Sequence, residues 1–276
     1  MLIADTSKPE ALGSKLLRGA GKTEQIIGNI QIEYNSPDSL YSPSMKTLPG
    51  RIYYRLRGKR TIEWNLFSIE LRKKIKILKP EHIIVTNILP LGDKCFDEIK
   101  KQKTTIVNYL IDDPWNPIHI NNRFLKEIGK YDHIYSTQKE RIGKLIEHGA
   151  KGSSWLPCAY DPELHYQPVD KDKWNGNEDI VFIGTGAKER YKWLSVLSEE
   201  YQLRKEIYGN NWESCRIKGW THNKEVQAIK YCEKIYHAKV TIGLLRESNK
   251  DRSTDRSYEI GAIGGCGLYQ DTEEHR

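Results

Sequence analysis

The sequence predicts an α/β protein of two Rossmann-like halves, and three observations carry that reading. Short β-rich apolar runs alternate with helical patterns along the whole chain, as parallel sheets joined by crossover helices require. Three of the runs, HIIVTN, TTIVNYLI and DIVFIG, are apolar almost throughout, the pattern of strands covered on both faces. An aperiodic stretch with three prolines, PCAYDPELHYQPVDKDKWNG at 157–176, separates one strand–helix series from the next.

Taken in order, strands are expected over 2–5, 30–34, 82–87, 105–111 and 133–136, then over 179–184, 206–208, 240–245 and 267–269. Helices are expected over 62–78, 93–102, 137–148, 187–201, 223–237 and 255–263. The domains implied are 1–165 and 166–276, with a cleft where the carboxyl ends of both sheets face each other. The chain stops at DTEEHR, just after a strand. A doubly wound half continues with more helix, so the second domain is expected to be incomplete.

Composition narrows the function classes. Of 276 residues, 38% are hydrophobic, enough for a core. No apolar run approaches the roughly 20 residues that span a bilayer, and no secretory leader opens the chain. The five cysteines are scattered with no C-x-x-C pair, which disfavours a disulfide framework and a zinc ribbon and suits a reducing cytoplasm. The net charge of +7 is uneven: residues 1–165 hold 26 Lys+Arg against 19 Asp+Glu, and residues 166–276 hold 18 of each. Much of the excess lies in RIYYRLRGKR and LRKKIKILK, between 51 and 79. That segment could meet nucleic acid, anionic lipid at the inner membrane face or a phosphate-bearing substrate, or it could be a solvated helix face.

Five segments could carry chemistry. RGAGKTE at 18–24 imitates the end of a phosphate-binding P-loop, but the required first glycine is Leu16 and the preceding SKLLRGA reads as helix; Gly21 reads as a helix cap. VFIGTGAKERYKWL places Gly184, Thr185 and Gly186 in a tight turn ahead of a helix, with Lys188 and Arg190 in its first turn. Exposed backbone N–H groups and a helix N-terminus would suit a diphosphate there; a purely structural turn is the alternative. IYGNNW offers Tyr208 or Trp212 to cover an aromatic base beside Gly209, or an ordinary strand-to-loop turn. NKDRSTDRSYEIGAIGGCGLYQDTEEH sets Arg252, Arg256 and Glu259 near a helix start that Ser253, Thr254 or Asp255 can cap. Those arginines could bind phosphate and Glu259 a sugar diol, or Arg256 and Glu259 could form a structural ion pair. YLIDDPWNP puts Asp112 and Asp113 at a strand's carboxyl end, where one could be a general base or could cap the following turn.

Together, FIGTGAKER, IYGNNW and DRSYEIGAIGGCGLYQDTEEH resemble the spore-maturation-protein-B-like glycosyltransferases, relatives of the group 1 enzymes of GT-B fold. The linker GAKGSSWLPCAYDPELHYQP and the DDPW segment are similar to the same family, so the likeness covers roughly 80–276. It implies a retaining, metal-independent hexosyltransferase in which the second half binds a nucleotide-sugar donor and the first half an acceptor. The loop Gly184–Gly186 with Lys188 or Arg190 would face the diphosphate. Tyr208 and Gly209 would lie near the nucleoside, and Glu259 near the ribose. Asp251, eight positions before Glu259, stands where the wider group has a second acidic residue. Asp112, Asp113 and Asp251 are the catalytic candidates. No cofactor is implied beyond the nucleotide-sugar substrate. The acceptor would be a glycan, protein or anionic polymer, with peripheral membrane contact and without a stable nucleic-acid partner. Two rival readings are a nucleic-acid-binding protein using 51–79 and a nucleotide-binding module without turnover.

Overall fold

Parallel pairing organises both halves of the chain in the computed structural model, which describes residues 1–4, 12–22, 33–35, 43–57, 61–117, 120–168, 178–197 and 202–276. The expected strand residues 5 and 30–32, helix residues 198–201 and linker residues 169–176 lie outside the described residues. The chain divides into two units, Met1–Pro157 and Cys158–Arg276, so the division falls inside the proline-containing stretch and ahead of residue 165.

In the first unit, β1 (Leu2–Ala4) is followed by α1 (Leu12–Gly21), β2 (Glu33–Asn35), α2 (Leu48–Leu56), α3 (Ile62–Leu78) and β3 (His82–Thr86). Next come α4 (Asp93–Gln102), β4 (Thr105–Leu110), α5 (Asn122–Glu127), β5 (His133–Ser136), α6 (Arg141–Glu147) and β6 (Ser153–Trp155). All six strands are parallel, in the order β2-β1-β3-β4-β5-β6. The Thr61 hydroxyl starts α3 by accepting from the Trp64 N–H at 3.2 Å. The same helix buries Phe67, Leu71 and Ile75, spaced by four, in the core under β3 and β4. Gly92, at φ 89°, opens α4 without a capping side chain of its own. Buried Glu127 supplies the acceptors instead, taking the N–H of Leu91 at 3.0 Å and of Gly92 at 2.8 Å. The P-loop-like segment begins inside α1, whose last residue is Gly21, as the helical reading expects.

The second unit runs β7 (Ile180–Ile183), α7 (Lys188–Leu194), β8 (Lys205–Tyr208), β9 (Thr221–Asn223), α8 (Ile229–His237), β10 (Val240–Gly243), α9 (Asp255–Ile263) and β11 (Gly267–Tyr269). Its five strands are parallel in the order β11-β10-β7-β8-β9. Every residue of β7 is buried, which explains its unbroken apolar run. Ile180 and Phe182 pack with Ile207 and Trp212, while Val181 and Ile183 pack with Ile235 of α8 and Ile260 of α9. From β7 the chain steps to β8 and β9 on one side, then crosses back to β10 and β11 on the other. The order therefore reverses between β7 and β10, and a crevice opens beyond their carboxyl ends at such a switch.

Several short elements differ from expectation. The strands β6 and β9 are three-residue edge strands that no apolar run announces, and α2 and α5 are additional helices. The expected helix over 223–237 starts at Ile229, because 221–223 pair with β8 instead. Among the described residues, no helix is long and apolar enough to cross a membrane.

Candidate functional site

The loop after β7 corrects one expectation. The N–H groups of Gly184 and Gly186 are not exposed: they donate to the carbonyls of Tyr208 and Asn210 at 2.8 and 2.7 Å. The Gly184 carbonyl accepts from the Trp212 indole at 2.8 Å. A Cβ on Gly186 would stand 2.2 Å from the Asn211 carbonyl oxygen, and one on Gly209 2.1 Å from that of Gly184. These glycines thus let two strand-end loops touch backbone to backbone. The two aromatics after β8 are likewise core groups and do not present a face to a base. Trp212 is buried edge-on to Phe182 at 5.9 Å. Tyr208 is buried on the opposite face of the sheet with its hydroxyl on Glu206, and burial pushes its pKa up to about 12.

Three arginines gather where β7 and β10 end. Arg190, in α7, is buried; it donates to the Thr185 carbonyl at 2.6 Å and lies 5.6 Å from the Phe182 ring centre. Desolvation, reinforced by the positive charges of Arg256 and Arg246, pushes its pKa down to about 10. The Nε atoms of Arg190 and Arg256 are buried without a hydrogen-bond partner among the described residues. Arg246, just beyond β10, is anchored by Asp251, with Nε and Oδ2 3.4 Å apart. Buried Asp251 also accepts from the Asn249 amide at 2.6 Å, and its own N–H donates to the Arg246 carbonyl at 3.2 Å. At Arg190 the positive charges of Arg256 and Arg246 outweigh the negative ones of Glu189 and Asp251, and two buried donors are left over. Such a set suits a ligand carrying several anionic oxygens. Thr185, Lys188 and Arg252 are exposed nearby in sequence.

Glu259 is buried in α9, and among the described residues its carboxylate partners are Tyr231 and His165, in place of the alternative ion pair with Arg256. Its Oε2 accepts from the Tyr231 hydroxyl at 2.7 Å, and its Oε1 lies 3.2 Å from His165 Nε2. His165 Nδ1 accepts from the Asp161 N–H at 3.0 Å, which leaves Nε2 to donate to the carboxylate. The start of α9 is closed by the chain's last residues. Ser257 accepts from the Thr254 N–H at 3.0 Å and lies 2.8 Å from His275 Nε2, while Ser253 donates to Glu274 at 2.7 Å. Gly264 ends the helix at φ 89°.

Asp112 and Asp113 belong to the first unit, beyond β4. Asp113 is buried and accepts from the Trp115 N–H at 3.0 Å, the turn-capping alternative. Asp112 is half-buried; it accepts from the Asn87 amide at 2.6 Å and its N–H donates back to Asn87 Oδ1 at 3.1 Å. Among the described residues, no group of three or more His, Cys, Asp or Glu side chains could hold a metal ion. Arg246, His165 and Tyr231 complete the arrangement without having been expected. A cation immediately past a strand end was the available signal for Arg246.

A family model described as glycosyl transferase-like matches residues 190–276. That span holds Arg190, Arg246, Asp251, Arg256 and Glu259. No curated protein matches the sequence. Solved structures match nearly the whole chain. An α,α-trehalose 6-phosphate synthase from Burkholderia multivorans is 12% identical over 98% of this chain and 83% of its own, with a TM-score of 0.62. An α-glucosyltransferase in complex with UDP-glucose and DNA containing an abasic site is 13% identical over 99% and 80%, at 0.61. The UDP-GlcNAc 2-epimerase from Methanocaldococcus jannaschii is 10% identical over 99% and 84%, at 0.57. At such identities the likeness is one of fold: two Rossmann-like parallel-sheet domains, as in GT-B glycosyltransferases.

Proposed function

We propose that this chain is a glycosyltransferase whose second unit binds a nucleotide-sugar donor at the arginine cluster. The observation that carries the reading is the pair of buried, unpartnered Nε atoms on Arg190 and Arg256 at the switch between β7 and β10. A diphosphate bridging Arg190, Arg246 and Arg256 would satisfy those donors and offset the burial, and the repulsion added to it, that depress Arg190. When the bond from the sugar to the diphosphate breaks, negative charge grows on the departing phosphate. Cations fixed beforehand stabilise that charge without having to reorganise.

Roles for the remaining residues follow from their contacts. Asp251 holds Arg246 and acts as a positioning residue, not as a general base. Glu259, oriented by Tyr231 and His165, is the carboxylate assigned to the ribose hydroxyls. Lys188, Thr185 and Arg252 are exposed and would contact only the outer part of a donor. Gly184, Gly186 and Gly209 shape the crevice wall, with Tyr208 beneath it. In the first unit, Asp112, which accepts from Asn87, and Asp113, which caps its turn, are the candidates for accepting the acceptor's proton. Transfer with retention and without a metal, and the narrower spore-maturation-protein-B-like assignment, belong to this same proposal. The first unit, Met1–Pro157, holds 26 Lys+Arg against 17 Asp+Glu, which favours an anionic acceptor.

The test is a thermal-shift series with nucleosides, nucleoside diphosphates and nucleotide sugars, followed by product analysis. Diphosphate-bearing compounds should stabilise the parent, nucleosides should not, and Arg256→Gln should lose the response. No stabilisation by any diphosphate would overturn the reading. Release of free sugar alone, whatever acceptor is added, would turn it toward hydrolysis.

A further inference from the structure

The basic segment of the first unit is built as more than a charged surface. Helix α2 turns its aliphatic residues outward: Leu48, Ile52 and Leu56, spaced by four, are 64%, 50% and 79% exposed. Its inner face is Gly50, Tyr53 and Tyr54, with Tyr53 tied to Asn65 of α3. Glu63 of α3 accepts from the N–H of Ser44, just before α2, at 2.8 Å, so the two helices are held to one another. Helix α3 repeats the arrangement. Opposite its buried Phe67, Leu71 and Ile75 lie Ile62, Leu66, Ile69 and Ile77, all exposed. Exposed Arg51 and Arg55 flank the α2 stripe, while Arg57 lies over the Tyr53 ring; exposed Lys73 and Lys76 interrupt the α3 stripe, Lys76 lying 3.5 Å from Glu98. The acid on the outer side of α3 is Glu70.

Seven exposed aliphatic side chains on two adjoining helices need an occupant that is apolar in its depth and anionic at its surface. We infer that the α2–α3 face docks on an anionic lipid bilayer, with the aliphatic stripes entering the acyl boundary and the arginines and lysines among the headgroups. A second copy of the chain would bring like charges together on the same face. Nucleic acid offers anionic charge but no surface for the aliphatic stripes. This inference does not depend on the donor site, which lies in the other unit.

The experiment is co-sedimentation of the full chain with vesicles of phosphatidylcholine alone and with an equal part of phosphatidylglycerol. The parent should bind the anionic vesicles at least tenfold better. Added salt should weaken that binding, since exposed charges are screened within about 8–10 Å, and apolar insertion should leave a residue of it. Ile52→Asp combined with Leu66→Asp should abolish vesicle binding while circular dichroism and donor-induced thermal shift stay as in the parent. Ile77→Asp, at the far end of α3, gives an independent reduction should the double variant misfold. The inference fails if anionic vesicles are not bound, or if the Asp variants bind as the parent does. It fails equally if the parent is a dimer that the Asp variants dissociate, or if an acidic protein but no vesicle is retained.

Discussion

Replacing Arg190 with Met separates stability from ligand binding, because the charge of Arg190 is costly in the empty protein. Burial first, and then the neighbouring positive charges, lower its pKa from the ordinary arginine value to about 10; at about 1.4 kcal/mol per pKa unit, holding the charge there costs about 3 kcal/mol. Removing the side chain relieves that cost. It also loses the charged hydrogen bond to the Thr185 carbonyl, worth about 1.5–3 kcal/mol, and the contact with the Phe182 ring, worth about 0.5–1 kcal/mol. The two sides nearly cancel. Arg190→Met is therefore expected to change unfolding free energy by no more than about 1 kcal/mol, where breaking a well-paired buried charge costs about 3–5 kcal/mol. In contrast, a nucleoside diphosphate at a hundred times its parent Kd, which should stabilise the parent by about 2.7 kcal/mol, should do little for the variant. Urea unfolding with and without the diphosphate measures both quantities. A loss of about 3 kcal/mol or more in the empty variant, or an undiminished ligand response, would refute the reasoning.

Three further outcomes are expected. Gly186→Ala should lower stability by about 1–3 kcal/mol in thermal unfolding even without ligand, since the new methyl meets the Asn211 carbonyl; an unchanged Tm would show that the loops can part. Glu259→Gln should weaken donor binding with the fold retained, whereas Glu259→Ala should also destabilise, because it leaves the buried Tyr231 hydroxyl and His165 N–H unpaired; equal behaviour of the two variants in unfolding and donor titrations would argue against this role. Arg190 is a base whose folded-state pKa is lowered, so its charge penalises the fold below about pH 10 and the penalty fades as pH rises from there toward the ordinary arginine value. Parent stability should accordingly rise relative to Arg190→Met above about pH 10, while diphosphate affinity of the parent falls; parallel pH profiles for the two proteins would contradict the assignment.

The strands that were legible are those whose apolar side chains form an almost unbroken run. In β7 all four side chains are buried; β3 buries Ile83 and Val85 on one side of its pleat and Thr86 on the other, and β4 buries Ile106 and Leu110 on one side and Tyr109 on the other. Helices α3, α4 and α9 were legible to the residue because their ends carry local chemistry: Thr61 before α3, and Gly264 after α9 at a positive φ. Helix α2 was not, since Pro49 and Gly50 in its first turn read as a loop and its aliphatic stripe faces outward, the reverse of what a core-seeking pattern looks for. Edge strands β6 and β9 have three residues each, too few for any periodicity.

The site itself was legible in composition but not in roles, and the glycine loop shows why. A glycine in a strand-to-helix turn says only that something approaches the backbone closely; the sequence does not say whether that is a phosphate or another loop. Here it is the Tyr208–Trp212 backbone, whose Tyr208 and Asn210 carbonyls take up the amide hydrogens a phosphate would have needed. In the proposed reading, holding an anion then passes from backbone to side chains, and donor atoms without a partner suit it. The Nε atoms of Arg190 and Arg256 meet that condition and Arg246 adjoins them, although the three are scattered over 190–256 and no contiguous motif unites them. What brings them together is the strand order. Because β10 pairs with β7, a residue just past β10 and the first turn of α9 arrive beside the loop that follows β7. An acid such as Asp251, eight positions ahead of Glu259, looks catalytic along the sequence. Its contact in the structure is with Arg246, 3.4 Å away, and the proposed function accordingly gives it the part of holding that cation in place.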